Sequence, residues 1–314
     1  MYSNAFNEAA DSSGMKVDLD LEKIEKKYYF RDQQIWQTLK IIGLFLSPLI
    51  SSWACINYLT EMSLFNSFVY FINAIFVGSR LRGIGNVMHE CAHYSLFARR
   101  KLNLILGTTI AILDFTSFAD YRSDHLSHHI YLGDCEKDRD FATRKNFGFE
   151  IELSCSSVFM HLSKVFTSQF YKIYLNRIIF SKADSAVVAT GRIAWIFILA
   201  LSLYFMGVLN FSLYILLPYI TFYQWFRYFS DVIDHAGLTA SDHKNLRSRN
   251  HIFNISFLNW FLFPRNDSYH LVHHLFPAIP SWKLNDVHDV LKNNISYLKL
   301  NHNLFLDSNI EGKK

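Results

Sequence analysis

"IAWIFILALSLYFMGVLNFSLYILLPYITFYQWF" (Ile193–Phe226) runs for 34 residues without an Asp, Glu, Lys or Arg. A helix crosses the roughly 30 Å hydrocarbon core of a bilayer with about 20 apolar residues. The run is therefore long enough for two passes, with Gly207 and Asn210 in "MGVLN" placed to turn the chain between them. Working outward, "IIGLFLSPLISSWACINYL" (Ile41–Leu59) is also uncharged, and "LFNSFVYFINAIFVG" (Leu64–Gly78) follows it after only "TEMS". These runs predict an all-α integral membrane protein. Its four transmembrane helices, near residues 38–59, 64–82, 187–207 and 210–229, form two hairpins. Four buried helices of a soluble protein are the alternative, and uncharged runs of this length argue against it.

The flanks orient the hairpins. Neither short hairpin loop carries Lys or Arg, whereas Arg80, Arg82, Arg99, Arg100, Lys101, Arg177, Lys182 and Arg227 lie outside the hairpins. An excess of basic residues marks the cytoplasmic side. Both termini are accordingly expected there, with residues 1–35 as a cytosolic segment and 36–314 as one membrane domain. The parts of that domain outside the bilayer, 83–186 and 230–314, form a cytosolic helical cap. "LNLILGTTIAILDFTSF" (Leu102–Phe118) is apolar but contains Asp114 and has both flanks on one side, so it reads as an interfacial or re-entrant segment.

Bulk composition excludes several classes. The formal charge of +4 is small and scattered, which does not suit nucleic-acid binding. Cys55, Cys91, Cys135 and Cys155 form no C-x-x-C pair and read as reduced thiols. The polar, acidic start predicts no cleavable signal peptide.

The predicted cap holds most of the histidine. "HLSHH" places His125, His128 and His129 at the spacing H-x-x-H-H, and "HLVHH" repeats it at His270, His273 and His274. At this histidine content one such pattern arises by chance only about 0.03 times. A third cluster, "HECAH", sets His89 and His93 four apart. An unbroken helix from Leu64 to His93 would be about 45 Å long, so its far end projects beyond the lipid with both imidazoles on one face. In H-x-x-H-H, the first, fourth and fifth residues also share a side of a helix. Just past the last apolar run, "FSDVIDHAG" adds His235, with Asp231 one turn earlier. His161, His243, His251, His288 and His302 have no such spacing and read as surface residues.

Many imidazoles without thiolates suit iron, zinc, copper or nickel. A catalytic zinc takes three protein ligands and keeps one position open. Eight or nine histidines therefore suggest two ions of four or five ligands each. "HECAH" also matches the H-E-x-x-H signature of zinc proteases, with Glu90 as general base, but that reading leaves both H-x-x-H-H boxes unexplained. Glu90 then falls to a structural role, such as holding an imidazole N–H.

These boxes resemble those of the membrane fatty-acid desaturase and hydroxylase superfamily, whose pattern is H-x-x-x-H, H-x-x-H-H and H-x-x-H-H. The likeness extends through "VMHECAHYSLFARRKLN", "YRSDHLSHHIYLGDCEKDRD" and "HLVHHLFPAIPSWKLNDVHDVL", from about Leu81 to Leu291. It implies two irons on the cytosolic side of four transmembrane helices, bound by His89, His93, His125, His128, His129, His235, His270, His273 and His274. The family also has an Asn or Asp one turn before the histidine that follows the fourth helix, a place Asp231 fills here, reaching iron directly or through water.

The implied activity is O2-dependent desaturation of an acyl lipid or acyl thioester. The boxes alone leave open a hydroxylase of a lipid, carotenoid or small apolar compound, an intramembrane zinc hydrolase, or a non-catalytic metal-binding protein. The sequence has neither an iron–sulfur cysteine set nor a G-x-G-x-x-G loop, so electrons would come from a separate carrier of ferredoxin or cytochrome b5 type. "ARRKLN" could serve as a basic docking patch or simply report topology. "YITFYQWFRYF" (Tyr219–Phe229) could line an acyl channel or pack against neighbouring helices.

Overall fold

A computed structural model describes residues 21–29, 34–59, 61, 63–134, 136–175, 181–238 and 247–298, and all regular secondary structure among them is helical. In chain order the helices are α1 (Leu21–Tyr28), α2 (Gln34–Tyr58), α3 (Leu64–Ala92), α4 (Arg100–Leu113), α5 (Phe118–Tyr131), α6 (Phe141–Asn146), α7 (Cys155–Lys164), α8 (Ser168–Tyr174), α9 (Ala186–Phe211), α10 (Gln224–His235), α11 (Ser256–Leu262), α12 (His270–Leu275), α13 (Leu284–Leu291) and α14 (Ile295–Leu298).

α2 and α3 form the first hairpin. Ser63 caps α3 by accepting from the Asn66 amide at 3.1 Å. The two helices run antiparallel, so Ile41 and Leu44 near the start of α2 share a core with Ile84, Val87 and Met88 near the end of α3. α3 is unbroken for 29 residues, about 44 Å, and it carries the first histidine pair at its far end. Toward the hairpin loop, Leu49, Trp53, Phe65 and Phe68 are exposed. Large apolar side chains left outside any protein core mark a surface made for lipid.

Three helical runs are long and apolar enough to cross a membrane: Gln34–Tyr58, Leu64–Ala92 and the 50-residue run Ala186–His235. A fourth arises if α4 and α5, bent by 107° at their junction, count as one broken span. The long run is not one straight helix. Gly207 holds φ +75° and ψ 162°, a backbone state that glycine adopts at little steric cost and other residues rarely do. The chain thus breaks where the sequence suggested a turn. Beyond it, two π-helical segments, Ser212–Leu216 and Tyr219–Tyr223, lead into α10.

The apolar segment before the second histidine box does not run straight through. α4 ends at Leu113, Phe115 takes φ +51°, and α5 leaves at the 107° bend. Asp114 at that corner is buried and accepts a hydrogen bond from the Tyr219 hydroxyl at 3.2 Å.

The aromatic stretch entering α10 packs against α3. Phe222 lies edge-on to Phe71, and a Cβ on Gly78 would sit 2.5 Å from the Phe222 Cβ. Contact that close requires glycine on α3. Phe222 and Tyr223 are therefore packing residues of the helix interface, the second of the two roles the sequence allowed.

Candidate metal centre

Four helices bring the histidines together. α3 carries His89 and, at its C-cap, His93. α5 carries His125, His128 and His129 on successive turns. α10 ends on His235. The six-residue α12 consists largely of the third box, His270, His273 and His274. A helix this short is marginal alone, and its start is held from elsewhere. Asn250 Oδ1 accepts the backbone N–H of Leu271 at 3.0 Å and of Val272 at 3.4 Å. The Asn250 amide in turn donates to the Tyr297 hydroxyl at 2.8 Å.

The imidazoles fall into two groups. In the larger, the Nε2 atoms of His93 and His125 lie 2.7 Å apart, His125 and His129 3.0 Å, His129 and His273 3.1 Å, and His273 and His89 2.7 Å. In the smaller, His235 Nε2 and His274 Nε2 each lie 3.0 Å from His270 Nε2, and the nearest ring nitrogen of His128 converges with those of His235 and His274. The groups adjoin, for the rings of His129 and His274 stack at 4.3 Å.

This arrangement fits a metal. Each neutral imidazole has one protonated nitrogen and one lone pair. Five Nε2 atoms in a chain of such contacts cannot all be satisfied by sharing protons, because one N–H cannot serve two neighbours well. Cations accept every lone pair at once. Burial holds His270 and His274 well below the usual imidazole pKa and lowers His273 to about 3, so these rings are neutral and ready to ligate. His128 Nε2 is buried without a hydrogen-bond partner, as an atom reserved for an ion would be.

Behind the ligand nitrogens stand residues that sequence spacing did not mark. His128 Nδ1 lies 3.0 Å from Asp138 Oδ2, and the same oxygen accepts from Gly133 N at 3.0 Å. His235 Nδ1 lies 2.9 Å from the Arg247 carbonyl, to which it donates. His270 Nδ1 is 3.5 Å from Asp234 Oδ2, whose other oxygen is 3.2 Å from His251 Nδ1. The Arg247 carbonyl sets the Nδ1–H tautomer of His235, and the Asp138 and Asp234 carboxylates favour it for His128 and His270, which turns Nε2 toward the centre. Asp138 carried a weak signal, since it lies ten residues past His128 in the acidic "DCEKDRD". Nothing in the sequence pointed to Asp234 over Asp231.

Several expectations change. Asp231 does not join either group: its carboxylate is taken by Arg144, whose Nε lies 3.0 and 3.1 Å from the two oxygens and whose Nη2 lies 2.9 Å from Oδ1. The helical turn that aligned Asp231 with His235 instead turns it toward α6. Glu90 holds no imidazole. Arg265 binds both its oxygens, at 2.8 and 2.9 Å, and also reaches Gln37 at 3.1 Å. A carboxylate so engaged is no general base, which removes the zinc-protease reading of "HECAH". His161 and His251 are not surface residues but buried; His161 Nδ1 lies 2.6 Å from the Tyr228 hydroxyl. His288 is half-buried against the Tyr297 hydroxyl at 2.8 Å. His243 and His302 lie outside the described residues.

Comparison with known proteins agrees with this geometry. The family profile described as "Fatty acid desaturase" matches residues 65–305, a span containing all three histidine boxes and His235. The chain belongs to the fatty acid desaturase family. Desaturases are thus its relatives, and the chain is a membrane-type oxidoreductase with a metal-binding histidine centre. It is 31% identical over 252 residues to the dihydrorhizobitoxine desaturase of Bradyrhizobium elkanii, covering 74% of this chain and 70% of that protein. It is 26% identical to an endoplasmic-reticulum omega-3 fatty acid desaturase of Vigna radiata var. radiata, covering 62% of this chain and 57% of the relative. It is 24% identical to a Delta(9) fatty acid conjugase-like enzyme of Dimorphotheca sinuata, covering 71% and 67%.

Proposed function

We propose that this desaturase removes two hydrogens from an acyl chain, using dioxygen, two external electrons and a pair of irons held by His89, His93, His125, His128, His129, His235, His270, His273 and His274. The overall reaction is RCH2CH2R′ + O2 + 2e− + 2H+ → RCH=CHR′ + 2H2O. The observation that carries the reading is the convergence of nine imidazoles into adjoining groups of five and four, on a chain whose family profile spans residues 65–305.

Bound iron supplies the dioxygen-derived oxidant needed to take hydrogen from an unactivated C–H bond. The rest of the work falls to the chain. Asp138 and the Arg247 carbonyl hold His128 and His235 with Nε2 turned inward. Arg265 and Glu90 clamp α3 to the loop before α12, so the first and third boxes keep their register. Orientation by a rigid scaffold is the protein's main contribution in such chemistry. The proposed topology is two hairpins with the turn at Gly207, the centre and both termini on the cytoplasmic side, and a ferredoxin or cytochrome b5 type carrier as electron source.

A second reading concerns the substrate. The 31% identity to an enzyme named for dihydrorhizobitoxine supports a smaller, non-lipid substrate on the same centre. Lipid and small-molecule extracts from cells expressing wild type and His128→Ala distinguish the two. A new acyl double bond confined to wild type supports the acyl reading. Unchanged lipids with a desaturated small molecule support the second. A hydroxylated product in either extract contradicts desaturation.

A further inference from the structure

The two groups of imidazoles are backed differently, and the difference has consequences for metal loading. In the smaller group three of four histidines have a group facing Nδ1: His128 and His235 are in hydrogen-bond contact with Asp138 at 3.0 Å and the Arg247 carbonyl at 2.9 Å, and His270 has the Asp234 carboxylate at an ion-pair distance of 3.5 Å. Two of the three partners are carboxylates, and both are buried. In the larger group His129 Nδ1 is buried without any hydrogen-bond partner, and no carboxylate stands within ion-pair distance of an imidazole of that group among the described residues.

A carboxylate behind Nδ1 pulls on its proton, makes Nε2 more basic and fixes the ring; losing such a partner typically costs about 10–100-fold in metal affinity. It also offsets part of an incoming dication's charge in a buried site. We infer that the smaller group, His128, His235, His270 and His274, is the tighter metal site and fills first, with Asp138 and Asp234 as its positioning residues. The five-histidine group, though richer in ligands, fills second and releases its ion more readily. This inference rests on the two-metal reading above.

Arg144 competes with Asp138 for the same nitrogen. Its Nη1 lies 2.7 Å from His128 Nδ1 and 3.7 Å from Asp138 Oδ2. A guanidinium can only donate. If it donated to Nδ1, the proton would move to Nε2 and the ligand would be lost. Coordination by Nε2 therefore requires Nδ1–H to face Asp138 while Arg144 stays on its carboxylates. Asp231 supplies that anchorage at 2.9 to 3.1 Å.

The test is anaerobic titration of the metal-stripped full chain in detergent with Fe2+, followed by calorimetry and by competition with a chromophoric chelator. Wild type is expected to show two steps of unequal affinity. His274→Ala should abolish the tight step and His93→Ala the weak one. Asp138→Asn and Asp234→Asn should each weaken the tight step about 10–100-fold while leaving the weak step within about threefold. Circular dichroism of each variant reports whether it has folded. If one aspartate variant does not fold, the other and the two histidine variants still decide the order. Loss of the tight step in His93→Ala, or two equal steps in wild type, overturns the inference. Binding of fewer than two ions by wild type defeats the two-metal reading itself.

Discussion

Asp231 and Arg144, 87 residues apart, form a bidentate ion pair with contacts of 2.9 to 3.1 Å at the edge of the histidine centre. The pair joins α6 to α10. Arg144 is buried while the carboxylate is partly exposed. Its guanidinium also faces Asp138 and Asp140, each at 3.7 Å, so one cation organises three carboxylates around His128.

Replacing Asp231 by Asn should lower stability by about 1.5–3 kcal/mol, the range for hydrogen bonds to charged groups, and should weaken the His128-containing metal site by loosening Arg144 from its carboxylates. Thermal unfolding in detergent and elemental analysis of the same samples check this. A variant that melts like wild type yet loses metal would instead make Asp231 a ligand.

Asn250 closes the start of the helix that carries the third box. Asn250→Ala strips acceptors from Leu271 N and Val272 N and a donor from Tyr297. A lost helix cap costs about 1–2 kcal/mol. Hydrogen–deuterium exchange should show faster exchange confined to the segment around His270–Leu275. Unchanged protection there, with normal unfolding, would mean the helix is held by packing alone.

Acid should destabilise the metal-free chain. Burial lowers His273 to about 3 when folded, against about 6.5 for an unfolded imidazole. Between those values the unfolded chain binds a proton that the folded chain does not. Stability is therefore fully present above pH 6.5 and falls as pH drops toward 3, with His270 and His274 adding in the same direction. Unfolding midpoints of the stripped chain between pH 8 and 4.5 should decline steadily below about 6.5. A flat profile would show that these rings are not buried neutral.

Much of this was legible in the sequence because periodicity encodes it. Uncharged runs marked the spanning helices, and H-x-x-H-H marked two helical faces. The unbroken course of α3, 29 residues long, followed from its uninterrupted run up to the first histidine pair. What escaped was whatever depends on a single residue meeting a distant partner. Asp234 and Asp231 are three apart on one helix, and only tertiary packing decides that the first faces His270 and the second Arg144. His161 and His251 lack box spacing and so read as surface residues, yet burial is set by what packs over a residue. Asn250 lies in a segment without regular secondary structure, and its role appears only when α12 is seen above it. Gly207 was legible as a breaker because only glycine readily tolerates the positive φ it adopts.

The central claim is that nine imidazoles build a two-metal centre, and the most direct measurement is the number and kind of metal ions in the full chain purified from iron-supplemented cells, by inductively coupled plasma mass spectrometry. Wild type is expected to carry two irons per chain, and variants losing one ligand from each group, such as His89→Ala with His274→Ala, to carry neither. A single zinc per chain in wild type, retained when His274 is replaced, would contradict the account.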